Sequence, residues 1–178
     1  MRSGRICAFC LTMLAAPHAA SAEPVTAANW RRHPAIAEIR VIYLETRQAE
    51  TAGRLRKEQR TLEYCRSYED GERTLHLSRT GSVRAYHVSR GSDDSAVQTA
   101  YYYDATGALR FVFATAGAVN GTLAEYRIYL SRTGKRLWEE RRDLKGPGYA
   151  FPLRLPDDWL IDKPMQAFHA EPPCPGGT

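Results

Sequence analysis

The sequence predicts an α+β domain that is mainly antiparallel β: one N-terminal helix packed on a curved meander of about seven strands, with an irregular proline-rich C-terminal tail. Three observations predict it. Residues 34–50 repeat apolar side chains at helical spacing. Residues 57–142 alternate apolar and polar side chains between turn signals. From Asp143 onward, Gly146-Pro147-Gly148 and Pro152, Pro156, Pro164, Pro172, Pro173 and Pro175 forbid long regular structure. At 178 residues, with 43% hydrophobic and 25% charged side chains, the chain has globular composition and room for one domain.

The first 22 residues stand apart. Arg2 and Arg5 precede an eleven-residue apolar run, Ile6 to Ala16, and Ala20-Ser21-Ala22 is a small-x-small cleavage site. The run is too short for a membrane span, which needs about 20 apolar residues. Phe9 before Cys10 excludes a lipoprotein site. Residues 1–22 are therefore expected to be a cleavable signal peptide and 23–178 the exported domain, periplasmic or secreted, with no membrane span.

Export fixes the cysteine arithmetic. Cys7 and Cys10 leave with the signal, so Cys65 and Cys174 remain and are expected to form a disulfide in an oxidising compartment. That bridge closes a loop of about a hundred residues, worth up to about 4–5 kcal/mol in the chain-entropy account. Two cysteines lack the further ligands of a structural zinc site.

Pro34 suits the first turn of the helix. Ala35, Ile36, Ile39, Ile42, Tyr43 and Thr46 share one helical face, with Val41 and Leu44 off it; Gly53 ends the helix. Strands are expected near 57–65, 72–79, 82–89, 97–104, 108–115, 122–131 and 135–142. Three turns share a shape: Leu77-Ser-Arg-Thr-Gly81, Tyr103-Asp-Ala-Thr-Gly107 and Leu130-Ser-Arg-Thr-Gly134, with glycines 26 and 27 residues apart. A type I turn followed by a glycine at positive φ gives a three-residue hairpin loop. This register pairs Tyr103 with Leu109, Tyr101 with Phe111 and Thr99 with Phe113, leaving Tyr102, Ala100, Arg110 and Val112 on the opposite face. It also pairs Leu77 with Val83 and Leu75 with Ala85. Leu130, Ile128 and Tyr126 then oppose Arg136, Trp138 and Glu140. A near-closed barrel is one way such a meander hides its edges. In the tail, Tyr149, Phe151, Leu153, Trp159 and Ile161 are expected to anchor on the sheet.

The stretch Tyr103-Asp104-x-x-Gly107-x-Leu109 resembles the hairpin signature of YD-type repeats in bacterial surface proteins. It spans fewer than ten residues, and the other two turns lack the Tyr-Asp pair, so the likeness is one of hairpin chemistry and assigns no family.

Residues 23–178 contain no nucleophile elbow, phosphate-binding loop, zinc-protease helix or redox dithiol motif. Loss of Arg2 and Arg5 lowers the net charge from +5 to +3, and the arginines are interspersed with acids, which argues against a nucleic-acid surface. In this register His76 lies on the polar face with Ser78, Arg84 and Tyr86 while His87 lies on the apolar face, so no metal pair and no cofactor is expected. Ser92, Asp93 and Asp94 form a polar loop that could hold a cation or a nucleophile, although its composition is that of an inter-hairpin turn. Tyr102, Arg110, Arg127, Tyr129 and Trp138 could form an outward binding face of the kind enriched at interfaces. Asn120-Gly-Thr122 matches a glycosylation acceptor in a eukaryotic host.

These observations lead to an exported non-catalytic binding or accessory protein, its partner another exported protein. The alternatives are a hydrolase using acids such as Asp93, Asp94 and Glu125, or a carrier with an apolar cavity lined by Tyr101, Phe111 and Phe113.

Overall fold

A computed structural model describes residues 23–61 and 71–170. The expected signal peptide, Cys65 and Cys174 lie outside the described residues. The order is α1 (Pro34–Thr51), β1 (Arg56–Thr61), β2 (Glu72–Leu77), β3 (Val83–Gly91), β4 (Ser95–Tyr103), β5 (Leu109–Ala118), β6 (Leu123–Leu130), β7 (Arg136–Lys145), a 3₁₀ turn at Asp157–Trp159 and α2 (Pro164–His169). The strands form one antiparallel sheet in sequence order, open at β1 and β7. The helix and the meander are as the sequence indicated; closure into a barrel does not occur. No helix among the described residues is long and apolar enough to cross a membrane.

His33 starts α1. Its Nδ1 accepts from the Ala35 N–H at 3.2 Å while its Nε2 donates to the Glu23 carbonyl at 2.7 Å, so one tautomer satisfies both ring nitrogens. Pro34 follows in the first turn, where its missing N–H costs nothing. Ile36, Ile39 and Thr46 face the sheet and are buried, while Val41 and Leu44 are exposed.

Both faces of the sheet are covered. Under α1 lie Ala85, Tyr102, Phe111 and Tyr129, with Trp30 from the segment before the helix stacked on Trp138 at 5.4 Å. The opposite face carries Leu75, Leu77, Tyr86, Val88, Tyr101, Tyr103, Val112, Tyr126 and Ile128, packed against Phe151, Leu155 and Phe168 of the tail. Among the expected anchors, Leu153 is exposed and Leu155 takes its place in the core.

The tail is held by its main chain. Tyr101, Tyr103 and Tyr126 each donate their hydroxyl at 2.7 Å, to the carbonyls of Trp159, Ile161 and Pro152 respectively. Arg136 reaches the Leu155 carbonyl and Arg73 those of Ala167 and Ala170, each at 2.6 Å. A segment without a ladder has backbone acceptors to satisfy, and these side chains satisfy them.

The uninterrupted hairpin register is corrected at the same place three times. Each turn closes as expected, with Gly81, Gly107 and Gly134 at φ 85°, 86° and 81°. In each, the first turn residue bonds the threonine two places on: Ser78 to Thr80 at 2.9 Å, Asp104 to Thr106 at 2.6 Å and Ser131 to Thr133 at 2.9 Å. The first pairs beyond are Leu77–Val83, Tyr103–Leu109 and Leu130–Arg136, but the next are His76–Ala85, Tyr102–Phe111 and Tyr129–Trp138. Arg84, Arg110 and Leu137 are thus extra residues, each three places after the turn glycine. A bulge places two residues opposite one and changes which later residues share a face. Tyr101 therefore pairs with Val112, Leu75 with Tyr86, and Ile128 with Glu139.

Candidate functional site

The bulge at Arg84 determines where two histidines point. It places Ala85 and His87 of β3 on the α1 face, the face that His76 of β2 already occupies. Strict alternation from the turn puts these histidines on opposite faces; the extra residue brings them onto one. Their rings lie 4.8 Å apart, centroid to centroid.

The last turn of α1 supplies a third group. Glu50 continues the buried stripe of Ile36, Ile39 and Thr46 onto the sheet. Its Oε1 lies 3.1 Å from His87 Nε2 and 3.9 Å from His76 Nε2. Its Oε2 accepts from Arg47 Nη1 at 2.9 Å, one helical turn back. The Glu50 side chain is only 6% exposed, that of His76 13% and that of His87 31%. Glu50 Oε1 and His87 Nε2 are buried atoms whose mutual approach is short but forms no aligned hydrogen bond.

Burial pushes the Glu50 carboxyl up, but His87, His76 and Arg47 together outweigh it and hold the group below the usual carboxylate range. Burial is also the main influence on His76; the charge of His87 acts with it against that of Glu50 and leaves the imidazole below its ordinary value. Burial pushes the Tyr102 hydroxyl up, and Glu50 adds to that. Among the described residues, Glu50, His76 and His87 are the one set of three such donors able to converge on a metal ion, all ligand atoms lying within 4.8 Å of one another.

A pocket of about 650 Å³ adjoins this cluster, between Tyr43 and Arg47 of α1 and the strands β2 to β5. Tyr43, Tyr102 and Phe113 form its aromatic side. Thr74, Gln98 and Thr115 present polar groups from β2, β4 and β5, and Arg47 and His87 stand at its wall. A smaller hollow of about 230 Å³ lies on the other flank of α1, lined by Arg40, Tyr43, Phe111, Phe113, Arg127 and Tyr129.

The other expected site residues are dispersed. The sheet face bearing Tyr102, Tyr129 and Trp138 is not an open face, because α1 and Trp30 cover it; Tyr102 and Tyr129 are buried. Tyr102 nevertheless borders the larger pocket, and Arg127 and Tyr129 border the smaller. Arg110 is 2% exposed at its bulge, where it bonds the Leu130 carbonyl at 3.2 Å, Asp104 at 3.2 Å and Glu38 of α1 at 3.3 Å. Its role is to tie a turn, a strand and the helix together. Arg127 bridges Glu125 at 2.6 Å.

Ser92, Asp93 and Asp94 sit in an exposed turn closed by Ser92 N–H to the Ser95 carbonyl at 2.7 Å. Asp94 accepts from Ser92 Oγ at 2.7 Å and from the Tyr149 hydroxyl at 2.8 Å, which makes it a clasp between turn and tail. The cavity expected among Tyr101, Phe111 and Phe113 is not formed by those three, since the Arg110 bulge sends Tyr101 to the tail face. Comparison with protein-family models, with curated proteins and with solved structures gives no match.

Proposed function

We propose that this chain is an exported, non-catalytic binding protein whose small ligand seats in the pocket beside the C-terminal half of α1. The single observation that carries this reading is the pocket itself, about 650 Å³ and walled by α1 and the strands β2 to β5. Ligand sites commonly occupy about 300–1,000 Å³ and combine an apolar body with a few placed polar groups. Here Tyr43, Tyr102 and Phe113 suit a planar apolar moiety, and Arg47 with the Thr74, Gln98 and Thr115 side chains suits an anionic or hydrogen-bonding edge.

Export belongs to the same reading. It rests on the charged, apolar and small-residue pattern of residues 1–22. Glu23, just after the expected cleavage site, is held by His33 and by Asn29, whose Nδ2 donates to its Oε1 at 2.9 Å. The Cys65–Cys174 disulfide also belongs to it. Arg60 donates to the His169 carbonyl at 3.0 Å and Arg73 to that of Ala170 at 2.6 Å, so the described chain leading toward each cysteine runs close together.

The test is thermal denaturation of the purified protein across a panel of small aromatic acids. A member that raises the melting temperature in the parent protein and has no effect in Thr115→Trp, which fills the pocket floor, supports the reading. A panel without effect on either protein counts against it. Intact mass from the exported fraction checks export separately: the expected chain begins at Glu23 and lacks two thiol hydrogens.

A further inference from the structure

We propose that Glu50, His76 and His87 form a binding site for one divalent transition-metal ion of the zinc class. The set, two imidazoles and one carboxylate, is a ligand combination that zinc, cobalt and ferrous iron accept.

Convergence is the first support. The donors come from the end of α1, from β2 and from β3, and reach one point only because a bulge turns His87 toward His76. Donors bound to one ion at roughly 2.0–2.2 Å stand roughly 3–3.5 Å apart. The 3.1 Å approach of His87 Nε2 to Glu50 Oε1 falls within that spacing, the 3.9 Å approach of His76 Nε2 lies about half an ångström beyond it, and all three donor atoms lie within 4.8 Å of one another.

Orientation is the second. Arg47 engages Oε2 of Glu50 and leaves Oε1 directed at the two rings. Metal carboxylates are commonly fixed in this way by an outer partner.

The third support is the pair of buried atoms, Glu50 Oε1 and His87 Nε2, that approach each other without an aligned hydrogen bond. A simple Glu–His ion pair requires one ring N–H aimed along the carboxylate lone pair, and has no use for a second imidazole at the same oxygen. A cation accepts the lone pairs of all three donors at once. Three protein ligands leave a coordination position open. Because His87 also stands at the pocket wall, the class of molecule suited to that position is a small anion or a neutral oxygen donor. The metal site stands on its own donor atoms and does not depend on the pocket holding an organic ligand.

The experiment uses tag-free protein stripped with EDTA and titrated with cobalt(II). The expected result is visible d–d absorption that saturates at one equivalent and is bleached by zinc(II). His76→Gln and His87→Gln should each weaken cobalt binding by at least about tenfold, and the double variant should abolish it. His169→Gln, remote from the cluster, should bind as the parent does. Absence of cobalt absorption in the parent overturns the proposal, as does undiminished binding in the double variant. If the histidine variants lose their far-ultraviolet dichroism, Glu50→Gln decides: a tenfold loss supports the site and unchanged binding overturns it.

Discussion

His76 stands opposite Ala85 across the β2–β3 ladder, and Arg84 between Val83 and Ala85 has no ladder partner. That extra residue brings His87 onto the face where His76 and Glu50 meet. The same device recurs at Arg110 and Leu137, so the internal repeat is one of backbone geometry as much as of sequence.

Deleting Arg84 should leave the fold standing. The pairs on either side of it keep their register, and the expected loss is about 1–2 kcal/mol. Deleting Tyr86 removes a paired residue and reverses every later side chain of β3, an error that sheets tolerate poorly. Denaturant melts of the two deletions should show one cooperative transition in the first and none in the second.

Asp104 should contribute to the acid sensitivity of the protein. Burial pushes its carboxyl up, but bonds from the Thr106 hydroxyl, the Ala108 N–H and Arg110 prevail and hold it below the usual value. A carboxyl lowered in the folded state adds stability above its unfolded pKa, about 3.9. That stability is lost as pH falls through the folded value. Asp104→Asn should cost about 2 kcal/mol at neutral pH, the scale of a hydrogen bond to a charged group. Its stability should also fall less steeply than the parent's below about pH 4, as chemical denaturation across that range will show.

Gly146→Ala should destabilise for two separate reasons. Gly146 has φ 98°, and an added Cβ would lie 2.4 Å from the Thr122 Cα. Left-handed strain alone costs about 1–3 kcal/mol, and the backbone contact adds to it. Gly134→Ala is the comparison: it has φ 81° with nothing within 4 Å, and should cost less. Calorimetric melting of both variants ranks them.

Tyr103→Phe should cost about 1–2 kcal/mol, because the Ile161 carbonyl loses its donor while the ring stays in place. The effect should concentrate in the tail. Limited proteolysis should cut Tyr101→Phe/Tyr103→Phe in the segment after Asp157 well before the sheet is attacked. Equal protection of parent and double variant would show that apolar packing alone holds the tail.

Much of this architecture was legible in the chain. Pro34 and the spacing of Ile36, Ile39 and Thr46 marked the helix, and the three Thr-Gly turns marked the hairpins. What was not legible was the residue inserted after each turn. A hint existed: Val83, Tyr86 and Val88 are spaced three and then two, so the bulkier side chains switch parity where Arg84 intervenes. Ala85 is apolar enough to disguise that switch, and Phe111 beside Val112 disguises the next. The Glu50–His76–His87 cluster was hidden for the same reason, since its members come together only once the ladder skips a residue. The covering of Tyr102 and Tyr129 was hidden for another, because alternation assigns faces and does not say which of two faces a helix or a tail will occupy.

The grip on the tail has an evolutionary consequence. Tyrosine hydroxyls and arginine guanidinium groups take hold of peptide oxygens, which every residue type carries. Substitution among the exposed positions from Pro152 to Ala170 therefore leaves those handholds in place, whereas adding or losing a single residue shifts all of them at once. Selection on this stretch should preserve spacing more strictly than spelling.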